Sequence, residues 1–169
     1  MKNSSKTAKL ITIGLFIALE IILTRFLSIN TPFLRIGFGF LPVAMLGIMY
    51  GPVWAGLAYA TGDILGMLIF PSGAFFPGFT LSAALTGIVY GLILYNKPVT
   101  WKRTLVAASI VCLGINLFMD TYWLYILMDR AVIAMIPARI VKSILMLCIQ
   151  TAIIPLVWNK YLKNVIKNK

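Results

Sequence analysis

Histidine is absent from this 169-residue chain, acidic side chains number only four, and the two cysteines stand alone. Each shortage removes a class of function. Without imidazole there is no histidine general base, no Ser-His or Cys-His nucleophile and no histidine-ligated metal. Cys112 and Cys148 sit singly in apolar runs, without the paired spacing of a zinc or redox motif, and read as small core residues. Charge is scarce as well: 11% of residues are charged against 61% hydrophobic, and the mean hydropathy is +0.97. That leaves too little polar surface to coat a water-soluble globule, so the chain reads as an integral membrane protein.

What charge there is has a strong sign and a strong pattern. The formal net charge of +11 would suit nucleic acid, but Lys2, Lys6, Lys9, Lys97, Lys102, Arg103, Lys160, Lys163, Lys167 and Lys169 fall in the two tails and one central loop. That is a topology signal, and no nucleic-acid partner is expected. The first apolar stretch carries Glu20 and Arg25 and lacks a small-residue cleavage site, so it reads as a retained helix.

Apolar runs bounded by Pro and Gly breakers predict six spans, near residues 8–28, 36–50, 53–70, 79–95, 103–127 and 137–161. The expectation is an all-α membrane protein, one domain over residues 1–169, with a six-helix transmembrane bundle and both termini cytoplasmic. The ten cations named above then lie inside. Arg25, Arg35, Arg130, Arg139 and Lys142 map to the outer half, as do Glu20, Asp63, Asp120 and Asp129, and the inner half is left apolar.

An ionised side chain in hydrocarbon costs on the order of 3 kcal/mol on insertion scales, so such a set must face partners, a cavity or water. Internal pairing is one reading, with Asp120 and either Arg139 or Lys142 as the obvious couple. A polar pocket open to the outside is the other. Asp63 would stand on its wall, and the loop with Phe75, Phe76 and Gly78 would cover it. Tyr122 and Trp123 add rings near the outer end of the fifth helix, as cover or as interfacial anchors. Asn116 and Asp120 are four apart and share a helix face, as do Arg139 and Lys142, three apart. A flat heterocycle with N–H donors and a carboxylated tail fits this set. Asp63 or Asp120 would accept from the ring, and Arg25, Arg35, Arg139 or Lys142 would hold the tail. Folates have that shape, and other vitamins can be drawn the same way.

Small residues recur at helical spacing: Gly14 and Ala18 on the first helix, Ala58, Gly62 and Gly66 on the third, and Ala83, Gly87 and Gly91 on the fourth. Such faces let helices approach closely in lipid.

Several stretches together resemble the substrate-binding S components of energy-coupling factor (ECF) vitamin transporters, most of all the folate-specific branch. They are Arg35-Ile-Gly-Phe-Gly-Phe-Leu-Pro-Val-Ala44, Tyr50-Gly-Pro-Val-Trp-Ala-Gly-Leu57, Gly62-Asp63 leading to Phe76-Pro-Gly-Phe-Thr80, Asn116 to Trp123, and Pro137-Ala-Arg-Ile-Val-Lys142. The resemblance implies a six-helix subunit that captures a vitamin from outside and is not an enzyme. It would be delivered by docking on a membrane T component with two cytoplasmic ATPases. Gly14 and Ala18 match the Ala-x3-Ala face through which the family meets the T component, with Gly in place of the first Ala. The loops at 29–34 and 71–78 would gate the vitamin. No cofactor or metal is implied, and the lack of a Gly-x4-Gly-Lys-Ser/Thr phosphate loop agrees with ATP hydrolysis on another polypeptide.

Other readings compete with folate capture. One is an S component for a thiamin precursor, riboflavin or pantothenate. Another is a small intramembrane enzyme using Asp63 and Asp120 as an acid/base pair, and a third is an independent channel or carrier.

Overall fold

The computed structural model describes residues 6–30, 35–71, 76–128, 132 and 134–162. Six helices carry the fold: α1 (Lys6–Arg25), α2 (Phe40–Tyr50), α3 (Pro52–Ile69), α4 (Pro77–Leu94), α5 (Trp101–Leu127) and α6 (Ile136–Val157). A one-turn extension of wider helix, Trp158–Leu162, continues α6. Five of the six are long and apolar enough to cross a membrane, and α2 is the exception.

Prolines and glycines set most of the boundaries. Pro52 and Pro77 open α3 and α4, where a missing N–H costs nothing because the first turn has no partner for it. For this reason α4 starts two residues before the expected 79. Gly51, with φ of 89°, joins α2 to α3 directly, a backbone conformation that only glycine adopts easily.

The largest departure from expectation is the start of α2. Residues 36–39 are not helical. Arg35–Ile36 instead pairs antiparallel with Ile29–Asn30, forming a two-residue ladder (β1 with β2) in a fold expected to be wholly helical. The remaining eleven-residue helix rises about 16 Å, roughly half of a hydrocarbon core. Its brevity is tolerated because protein, not lipid, surrounds it. Val43, Ala44, Met45 and Leu46 are at most 2% exposed, and α2 packs against α1, α3, α4 and α6. The core is thus built around the shortest helix.

Close backbone approach fixes α3 on α4. A side chain at Gly87 would strike the main chain of Ala55, and one at Gly91 the main chain of Pro52; Gly47 of α2 lies against Gly91. In lipid, where packing drives helix association, such contacts substitute for the hydrophobic effect. The outer surface is apolar, with Leu68 at 75% and Phe118 at 72% exposure, as lipid contact requires.

Two helices depart from regular α geometry. The middle of α5, Ile110–Met119, widens to a π-helix, and α6 carries Pro155 just before its wider last turn. A π-helix alters which main-chain carbonyls are used within the helix. That matters at the site.

Candidate binding site

Glu20, Asp63 and Asp120, with Arg25, Arg139 and Lys142, gather at the end of the bundle opposite Lys6 and Asn159. On one side, α1 presents Glu20, Thr24 and Arg25 to α3. Glu20 is 4% exposed, accepts a 2.7 Å hydrogen bond from the Thr24 hydroxyl, and lies where a side chain at Gly62 would sit. Arg25 lies over Gly66, donates to Met67 Sδ at 3.4 Å, and reaches Asp63 with Nη2 to Oδ1 at 4.0 Å. The small-residue face of α3 therefore serves to seat the long polar side chains of α1. Asp63 also accepts from the Thr80 hydroxyl of α4, 2.9 Å from Oδ2.

On the other side, α5 faces α6. Arg139 is 4% exposed and its guanidinium is held by Thr121, Nε to Oγ1 at 2.9 Å, and by the main-chain oxygen of Asn116, also 2.9 Å from Nη2. Asn116 thus enters through its carbonyl, which lies in the π-helical stretch. Asp120 stands beside these groups. Ser82, Arg139, Lys142 and Asp63 lie near enough to act on its carboxylate. Its Oδ1 is buried with no hydrogen-bond partner among the described residues. The expected couple of Asp120 with Arg139 is thus a neighbourhood of opposite charges, and Arg25 with Asp63 forms an ion pair. Lys142 is half-buried one turn beyond Arg139.

Aromatic rings close this end. Trp123 donates its indole N–H to Ser82 Oγ at 3.1 Å, which ties α5 to α4 beside Asp120. Phe76 packs on Trp123 at 5.6 Å between centroids and edge-on to Phe79 at 6.2 Å. Gly78 is buried beneath Phe76 and Trp123, and a side chain there would strike both. Tyr122 contacts Trp123 edge-on at 5.3 Å but is 59% exposed, so most of its surface faces outward. Phe75 lies outside the described residues, as do most of the two loops at 29–34 and 71–78. Arg35 is placed by its backbone in β2 alone.

Gly14 and Ala18 lie in the middle of α1, Ala18 two residues before the buried Glu20. Both are exposed on α1, and space beside Gly14 is open.

Thr24, Thr80, Ser82 and Thr121 are site residues that sequence reasoning missed. Hydroxyls on apolar helices are too common to single out, although Thr80 ends one of the stretches that carry the family resemblance. The inner half also departs from expectation. Tyr90, Cys112 and Gln150 are at most 2% exposed, and Gln150 Oε1 accepts from Tyr90 Oη at 2.6 Å and Cys112 Sγ at 3.3 Å. That half is therefore not wholly apolar, because Tyr and Gln can satisfy each other in a dry core.

Chemically, the cluster offers carboxylate acceptors, fixed guanidinium donors and a ring-lined edge within one bundle end. It is suited to holding a polar, partly aromatic solute. Comparison with known proteins agrees. The family profile for the ECF transporter, substrate-specific component, matches residues 8–158. This multi-pass membrane protein belongs to that family. Within it the likeness is to folate transporters. The chain is 49% identical over 164 residues to the folate transporter FolT of Clostridium novyi (strain NT), covering 97% of this chain and 95% of that protein. It is 31% identical to FolT of Leuconostoc mesenteroides, covering 87% and 82%. A crystal structure of FolT bound with folic acid superposes with a TM-score of 0.82 at 36% identity, covering 87% of this chain and 89% of that one.

Proposed function

We propose that this chain is the folate-binding S component of an ECF-type importer in a bacterial plasma membrane. Near-complete alignment at 49% identity with a folate transporter is the observation that carries the reading. The site's chemistry supports it. Asp120 Oδ1 is a buried acceptor awaiting a donor, which the amino and ring N–H groups of a pterin would supply. Trp123 and Phe76 offer flat apolar surface for the ring, and Arg25, Arg35, Arg139 and Lys142 are the cations from which the glutamate tail would take its partner. Phe75, Gly78 and Tyr122 belong to the cover rather than to the polar floor.

In this reading the site end faces outward and both termini are cytoplasmic. The exposed Gly14 and Ala18 face of α1 meets the T component, which works with two ATPases. The subunit itself performs no chemistry: it binds, and the partners supply the energy. Tryptophan quenching of the purified chain against a vitamin panel tests the ligand. Nanomolar folate binding is expected. Micromolar folate binding alongside nanomolar binding of riboflavin, pantothenate or a thiamin precursor would assign the site to another vitamin.

A further inference from the structure

The opposite end of the bundle holds a second feature that vitamin capture does not use. A depression of about 310 Å³ is lined by Leu92 and Ile93 of α4, by Lys97 in the following turn, and by Lys102, Arg103 and Val106 of α5. Its walls have two chemistries. Leu92 and Val106 are 60% and 53% exposed on the apolar side. The other side is cationic. Lys97 donates to the Leu92 carbonyl at 3.2 Å, which draws its ammonium back over the end of α4. Arg103 Nη1 is buried and has no hydrogen-bond partner among the described residues. Among the described residues no acid compensates these charges. Glu20, Asp63 and Asp120 lie toward the site end, and Asp129 follows the far end of α5 in sequence.

We propose that this depression binds the headgroup of an anionic phospholipid, with phosphodiester oxygens accepting from Lys97, Lys102 and Arg103 and acyl chains lying along Leu92 and Val106. Three cations converging on one cavity suit a phosphodiester, and charge-assisted bonds to it would satisfy the orphaned guanidinium. A lipid fits better than free phosphate because one wall is exposed hydrocarbon, which a soluble anion would leave unused. Trp101, 57% exposed at the start of α5, sits where an indole marks the headgroup level. The depression is independent of the vitamin reading, since none of its residues touches the site.

Native mass spectrometry of the full chain in mild detergent tests this with phosphatidylglycerol, phosphatidylcholine and free glycerol phosphate as probes. Phosphatidylglycerol should be retained about tenfold better than phosphatidylcholine, and free glycerol phosphate should not displace it. Retention should collapse in a Lys102→Gln/Arg103→Gln chain and in Leu92→Trp, which fills the cavity without removing charge. Lys6→Gln, a lost cation at the same end outside the depression, should change nothing. Equal retention of the two lipids by the unaltered chain overturns the proposal whatever the variants do. So does equal loss in Lys6→Gln, which would mark diffuse charge, and so does displacement by glycerol phosphate, which would mark a plain anion site.

Discussion

Arg25 of α1 reaches Asp63 of α3 across the backbone of Gly66, at 4.0 Å from Nη2 to Oδ1, with Arg25 only 4% exposed in its side chain and Asp63 15%. The pair ties the first helix to the third within the apolar bundle. Thr80 holds the other carboxylate oxygen, so Asp63 is engaged by two helices even before a ligand enters.

Asp63→Asn should therefore act on stability as well as affinity. Removing one partner of a buried pair costs about 3 kcal/mol because the other charge is left behind. Thermal unfolding in detergent should show a clear drop for Asp63→Asn and substantial recovery in Arg25→Gln/Asp63→Asn. Equal stability of the single and double variants would mean that the two residues do not depend on each other.

Asp120 should behave differently. Its Oδ1 has no described partner, so Asp120→Asn takes a charged acceptor away from the ligand, and it also weakens the opposite-charge neighbourhood with Arg139 and Lys142. Folate affinity should fall by about 2 kcal/mol, a larger effect than the accompanying loss of stability. Titration by tryptophan quenching, run beside a melting curve, separates the two quantities. A large stability loss with intact affinity would assign Asp120 to the scaffold.

The exposed small face of α1 predicts a third separation. Gly14→Leu or Ala18→Leu adds bulk where nothing of this chain is displaced, since open space surrounds Gly14. Vitamin binding by the isolated chain should survive, while ATP-dependent uptake by the complete complex should be lost. Poor binding with normal assembly would reverse the division of labour between the exposed and buried faces of α1.

The buried Tyr90, Gln150 and Cys112 group makes a fourth prediction. Gln150→Leu orphans the Tyr90 hydroxyl in a dry core and should cost about 1–3 kcal/mol. Tyr90→Phe combined with Gln150→Leu should cost less than the two singles added together, because neither leaves a partner stranded. Strict additivity in melting experiments would show that the bond contributes nothing of its own.

Membrane residence, six helices and the gathering of acids toward one end were all legible in the sequence, since hydropathy, breakers and charge position are properties of consecutive residues. Gly51-Pro52 marked a helix joint correctly, and the resemblance borne by Arg35 to Ala44 and Pro137 to Lys142 pointed to the right family. The start of α2 was not legible, because residues 36–39 are apolar enough for a helix and only their pairing and packing against the end of α1 decides otherwise. Nor was the role of Asn116, whose working group is a carbonyl in a π-helical stretch that a 3.6-residue period does not anticipate.

What the chain alone determined was its solvent and its inventory: too little charge for water, enough apolar length for a bilayer, and a small set of ions that had to be accounted for. Which ion meets which was decided by the tertiary structure. Arg25 and Asp63, or Trp123 and Ser82, are about forty residues apart or more and come together only because glycines let their helices touch. Local pattern carries burial and period. Partnership in space depends on how closely separate helices approach, and no stretch of sequence encodes that distance by itself.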